Sequence, residues 1–97
     1  MYDVQFMDMA YEDYDAIYEY LSQFYPSTPE KFLAELEKST ATLEHSPYAF
    51  EVYAPVPQYR RMVVQNYLVF YKVFEESRKV EIHRILHGAR NIQSILR

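Results

Sequence analysis

Cysteine is absent from this 97-residue chain and glycine occurs once, at Gly88. Without cysteine there is neither a disulfide framework nor thiolate chemistry. Long hydrophobic runs are also missing: the longest, residues 67–71, is far too short to span a bilayer. Met1 leads straight into Tyr2-Asp3-Val4 with no basic region, so no secretory signal is visible and a cytoplasmic protein without membrane attachment is expected. Internal repeats, low-complexity tracts and linkers are lacking too. The length fits one domain over residues 1–97 with a single modest core.

What is present is a strongly divided charge. Residues 1–57 carry eleven acids against Lys31 and Lys38, a balance of −9, whereas residues 58–97 carry eight bases against Glu75, Glu76 and Glu81, a balance of +5. The net −4 therefore does not exclude an anionic partner; it confines one to the C-terminal half.

Residues 59–87 hold most of those bases and read as three consecutive strands. Val63, Val64, Val69, Val73, Val80, Ile82 and Ile85 are β-branched, and Tyr67, Phe70, Tyr71 and Phe74 are aromatic, both suited to a pleated, half-buried surface. Gln65-Asn66 is the first turn, with Asn tolerating positive φ, and residues 75–79 form a second, polar connection. Upstream, Tyr2-Asp3-Val4-Gln5-Phe6 alternates as one short strand. Asp8 is placed to cap a helix whose apolar stripe is Ala10, Tyr14, Ile17, Leu21 and Phe24, ended by Pro26. Thr28 as N-cap and Pro29 at the first helical position open a second helix with stripe Phe32, Leu36 and Leu43, closed by Pro47. Residues 48–57, with Pro55 and Pro57, read as loop. Asn91 caps a short last helix carrying Ile92, Ile95 and Leu96.

The order is β-α-α-β-β-β-α. It predicts an α+β fold: an antiparallel four-stranded sheet with an N-terminal helical hairpin packed on one face. Tyr71 shares the helix-facing side with Val69 and Val73. Leu68, Phe70 and Lys72 lie on the other face, which is also largely apolar and, with so short a last helix, calls for a partner chain as cover. Tyr14, Tyr18, Tyr67 and Tyr71 fall in apolar patterns and are expected to pack in the core.

Several pieces in this order resemble the RelE/ParE family of bacterial type II toxins. They are the Tyr2-Asp3-Val4-Gln5-Phe6 strand, the helical hairpin, Tyr59-Arg60-Arg61-Met62-Val63-Val64 and Asn66-Tyr67-Leu68-Val69-Phe70-Tyr71-Lys72-Val73. Arg84-Ile85-Leu86-His87-Gly88-Ala89-Arg90-Asn91 and the terminal Ile95-Leu96 complete the set. The resemblance covers nearly the whole chain. It implies a toxin neutralised by a tightly bound cognate antitoxin in a hetero-oligomer, with no cofactor. Two targets stay open: DNA gyrase, as for ParE-like members, and messenger RNA in the ribosome, as for RelE-like endoribonucleases. A position where RelE-like ribonucleases commonly carry arginine is Leu68 here, and no tyrosine or histidine follows Gly88 to match their C-terminal catalytic residue. The Leu-His-Gly-Ala-Arg-Asn pattern is more similar to the ParE side.

Candidate site residues follow from these readings. A ribonuclease would use Arg84, His87 and Arg90, since 2′-hydroxyl attack needs proton transfer and cations for the developing phosphorane charge. Target or antitoxin contacts fall to Arg60, Arg61, Leu68, Phe70, Lys72, Arg84 and Arg90; Arg60 and Arg61 point to opposite faces of their strand. His83 and His87 have the spacing of a zinc pair on a helix. On a strand, four residues span about 13 Å, too far for one metal, so none is expected.

Overall fold

In the computed structural model, which describes residues 1–88 and 90–97, the alternating N-terminal residues form β1 (Asp3–Phe6). The chain passes directly into α1 (Asp8–Leu21), then α2 (Ser27–His45). The meander follows as β2 (Arg60–Val64), β3 (Tyr67–Phe74) and β4 (Lys79–His87), and α3 (Ile92–Leu96) ends the fold. Among the described residues the sheet has four strands in the order β1-β4-β3-β2. No helix of the described residues is long and apolar enough to cross a membrane.

The sheet is mixed, where a fully antiparallel one is expected from the element order. β2, β3 and β4 pair antiparallel, but β1 runs parallel to β4, with Asp3 opposite Lys79 and Phe6 opposite Ile82. The cause lies in how α1 leaves β1. Met7 N–H donates to the Ile82 carbonyl at 2.9 Å as the last rung, and the helix then begins without a reversal. α1 continues along the upper half of β4, and α2 returns to the starting end, where the Glu44 carbonyl accepts the Tyr2 N–H at 2.8 Å. β2 therefore sets out in the direction of β1. Two caps differ from expectation. The cap position of α1 is Met7, with Asp8 the first helical residue, and that of α2 is Pro26, ahead of Thr28. Asp8 in the first turn still sits favourably in the positive end of the helix dipole.

The turn between β2 and β3 also resolves differently. Positive φ falls on Gln65 (54°), not on Asn66, which is the φ pattern of a II′ turn. Further along, Tyr71 pairs with Ile82 and Phe70 with Arg84, which leaves His83 as the extra residue of a bulge on β4. The bulge resets the alternation, so Val80, Ile82 and then Ile85 face the hairpin while Leu86 faces away.

Against the hairpin, Ala10, Ile17, Leu21, Phe32, Leu36 and Leu43 pack on Val69, Tyr71, Val80 and Ile82. Phe32 stacks on Tyr14 and lies 5.1 Å from the Tyr67 ring. Tyr71 is on this side, as predicted, while Tyr18 and Phe24 are exposed. The second face is covered by the chain itself, correcting the expectation that it needs a partner. Val56 from the 46–59 connection and Ile92 and Leu96 from α3 bury Phe70 and Leu86, with the Tyr53 ring edge-on to Phe70 at 5.1 Å. Half of this cover comes from a proline-rich stretch without hydrophobic period, a poor signal from sequence, and the rest from the short α3.

At the closed end of the β3–β4 connection, the Tyr2 hydroxyl reaches the Glu75 carboxylate at 2.6 Å. The Arg78 guanidinium lies 4.2 Å from the Tyr2 ring centroid. The Tyr2 hydrogen bond, reinforced by Arg78 against partial desolvation, holds the Glu75 carboxyl below its ordinary value of 4.5. A depressed folded-state value means a contribution present above pH 4.5 and lost as pH falls through the folded-state value. Tyr2→Phe should therefore flatten the loss of stability between pH 7 and pH 3. Urea midpoints at the two pH values give the check; an unchanged difference between wild type and variant would remove this cluster from the acid response.

Candidate functional site

The expected basic residues are present, but they are held in different places. Arg84 follows the bulge on β4 and is locked by α1. Its Nε donates to Asp13 Oδ2 at 2.8 Å and its Nη2 to Asp13 Oδ1 at 2.9 Å, a two-pronged pairing with side chains only 15% and 12% exposed. The same carboxylate accepts the Ile85 backbone N–H at 2.9 Å. β1 stops at Phe6, opposite Ile82, so Asp13 takes the place of a strand neighbour on the edge of β4 beyond it. The Asp13 hydrogen bonds push Arg84 further above its ordinary value, fixing it as a permanent cation.

Arg60 donates to the Phe50 carbonyl at 2.7 Å and lies 4.9 Å from the Tyr48 ring. Arg61, on the other face, pairs with Glu51 at 2.6 Å. That acid comes from the 46–59 connection. The Lys72 amine sits 4.8 Å from the Tyr59 ring. Leu68 is half-buried, and Phe70 is fully enclosed. Phe70 therefore supports the second core and offers no surface for a partner, contrary to its place among the expected contacts.

Two open grooves divide the residues proposed for catalysis. One, of about 480 Å³, runs between α1 and the end of β4 and is lined by Asp13, Tyr20, Tyr67, His87 and Arg90. Here the His87 ring meets Tyr67 edge-on at 5.6 Å, and Arg90 is exposed. The other, of about 530 Å³, lies between the start of α1 and α3 and is lined by Asp8, Tyr59, His83 and Arg84. His83 contacts Glu81 at 3.0 Å and the Tyr59 ring at 5.6 Å. The structure thus brings His87 and Arg90 together and sets Arg84 apart. His83 and His87 lie on one strand, as expected, with His83 the bulge residue itself and His87 at the strand's end. Of the motif around Gly88, Ala89 lies outside the described residues.

Asp13, which holds Arg84 in place, is the residue of this region missed in sequence. Its signal was available: Ala10, Asp13 and Ile17 share one helical stripe, and an acid in a buried stripe requires a partner.

A mixed four-stranded sheet carrying a helical hairpin on one face and a short C-terminal helix on the other is the fold of small toxins solved with their antitoxins. The chromosomal ParDE system from P. aeruginosa has a chain 19% identical, matching with a TM-score of 0.75 over 90% of this chain and 96% of that one. The intact E. coli RelBE toxin–antitoxin complex matches at 17% identity and 0.64, over 93% and 100%. The RelBE2 complex from Mycobacterium tuberculosis matches at 19% and 0.63, over 89% and 96%. No curated protein sequence matches the chain. The profile of the ParE toxin of the type II toxin-antitoxin system, parDE, matches residues 4–92, and the chain belongs to this family.

Proposed function

We propose that the chain, as a single toxin domain over residues 1–97, arrests growth by binding DNA gyrase in the cytoplasm and is neutralised by a cognate antitoxin. The observation that carries the reading is the pairing of Arg84 with Asp13. A phosphorane-stabilising cation must be free to face the substrate beside the proton-transferring group, whereas this guanidinium is held by the Asp13 carboxylate and lines a different groove from His87 and Arg90. Inhibition by binding needs no such convergence. Arg90, with Tyr20 and His87 beside it, supplies a basic and aromatic rim for the target; Arg60, Arg61 and Lys72 supply charge for the antitoxin.

Induced expression tests this by following plasmid supercoiling and transcript integrity together. Supercoiling should fail first with transcripts intact. Arg90→Ala should weaken target binding about tenfold, the effect of one interface arginine, and His87→Ala should leave growth arrest in place. Transcripts cut at codon boundaries, with cutting abolished by His87→Ala, would replace this reading with a ribosome-dependent endoribonuclease. Normal growth at full expression would leave a chain that only binds antitoxin.

A further inference from the structure

We propose that the outer edge of β2 at Val63 receives an extended segment of the antitoxin, which joins the sheet as an additional strand; this rests on the toxin–antitoxin reading above. The two-residue turn makes Val64 and Tyr67 a hydrogen-bonded pair, so the N–H and C=O groups of Val64 point at β3. Those of Arg61 and Val63 then point outward. The chain itself demonstrates the pairing at the start of this edge. Arg61 N–H donates to the Glu51 carbonyl at 3.1 Å, Tyr53 N–H to the Tyr59 carbonyl at 2.8 Å, and Val52 bridges Arg60 antiparallel between them.

Before reaching Val63 the covering segment turns away. It leaves a shallow groove of about 450 Å³ lined by Ala49, Phe50, Glu51, Arg61 and Val63. Val63 is 61% exposed, and residues 62–64 carry none of the lysine, proline or bulge devices that blunt an edge strand.

These facts specify the occupant. The residue opposite Val63 must both donate an N–H and accept one, so it is not proline. Its side chain lies on the face of Val63 and Leu68 and is apolar, while the basic half of the toxin favours acidic residues flanking it. A second copy of this chain fits less well. Edge-to-edge pairing through residues 62–64 joins three residues per chain, far short of the roughly 800 Å² per partner of a stable interface.

The test uses the purified toxin with the full-length antitoxin of the same module. Hydrogen exchange should show the Val63 amide gaining at least about tenfold protection in the complex. Val63→Pro removes an outward N–H and is tolerated at an edge, so its thermal midpoint should stay near wild type while antitoxin affinity falls about tenfold or more. Val63→Lys keeps the N–H and loses the apolar contact, and should give an intermediate loss. Wild-type affinity in both variants with unchanged Val63 exchange would overturn the docking line while leaving the toxin reading intact. Protection that rises with toxin concentration alone would assign the edge to a second copy and overturn the proposal. A toxin that forms no complex would overturn the underlying reading as well.

Discussion

Tyr71→Ala should unfold this protein more readily than any surface change, lowering stability by about 3–5 kcal/mol, the range for truncating a buried aromatic. The ring is fully enclosed between the hairpin and the sheet, so truncation leaves a cavity that Phe32, Val69 and Ile82 cannot all move to fill. Its hydroxyl also donates to the Pro47 carbonyl at 2.7 Å, tying the end of α2 to the middle of β3. Tyr71→Phe separates the two contributions and should cost about 1 kcal/mol, the hydrogen bond alone. Burial pushes the phenol up from 10.0 to about 12. Because the folded state ionises later than the unfolded one, this contribution is complete below pH 10.0 and is lost as pH rises to about 12. Tyr71→Phe should therefore lose stability less steeply over that interval. Denaturant midpoints across pH provide the measurement; an unchanged midpoint in Tyr71→Ala at neutral pH would place the residue outside the core.

The second large effect is expected at Asp13. Asp13→Ala strands the Arg84 guanidinium and the Ile85 N–H together, and breaking a largely buried ion pair by removing one partner costs about 3 kcal/mol. Arg84→Ala should cost less, because Asp13 keeps the Ile85 N–H as a donor. The double variant should cost less than the two single losses added, showing coupling between contacting residues. Strict additivity would mean that the two side chains do not meet in solution. The pair bears on function too: loss of toxicity in Arg84→Ala would have to be weighed against the amount of folded protein before being read as a lost target contact.

How far the sequence reaches can be judged from particular residues. The meander was legible because β-branched and aromatic residues crowd into three runs separated by polar connections. The hairpin was legible because Ala10, Ile17, Leu21 and Phe32, Leu36, Leu43 recur at helical spacing, and all six are buried. The caps at Asp8 and Thr28 were misplaced because cap preferences are local and weak, and the backbone entry from β1 decides where α1 starts. The parallel partner of β1 was not legible, since pairing choice depends on contacts distant in sequence. The bulge left a trace in the step from Ile82 to Ile85, where alternation requires an even spacing. At the site, residue types were legible and convergence was not. Arg84, His87 and Arg90 are close in sequence, yet the bulge and Asp13 hold Arg84 apart from the other two.

The parallel rung between Asp3 and Lys79 also governs when the toxin comes into being on the ribosome. Of the four strands, the one translated first is completed by the one translated last. At about 5–20 residues per second, β1 and α1 wait roughly 4–15 s for their template. Until then the apolar stripe of Ala10, Ile17 and Leu21 lacks β4, the strand α1 lies along, and closing so long a loop makes its assembly slow compared with local hairpins. A nascent chain released before Lys79 therefore holds α1 without the strand it lies along. The joining of α1 to the sheet thus waits until most of the chain has been made.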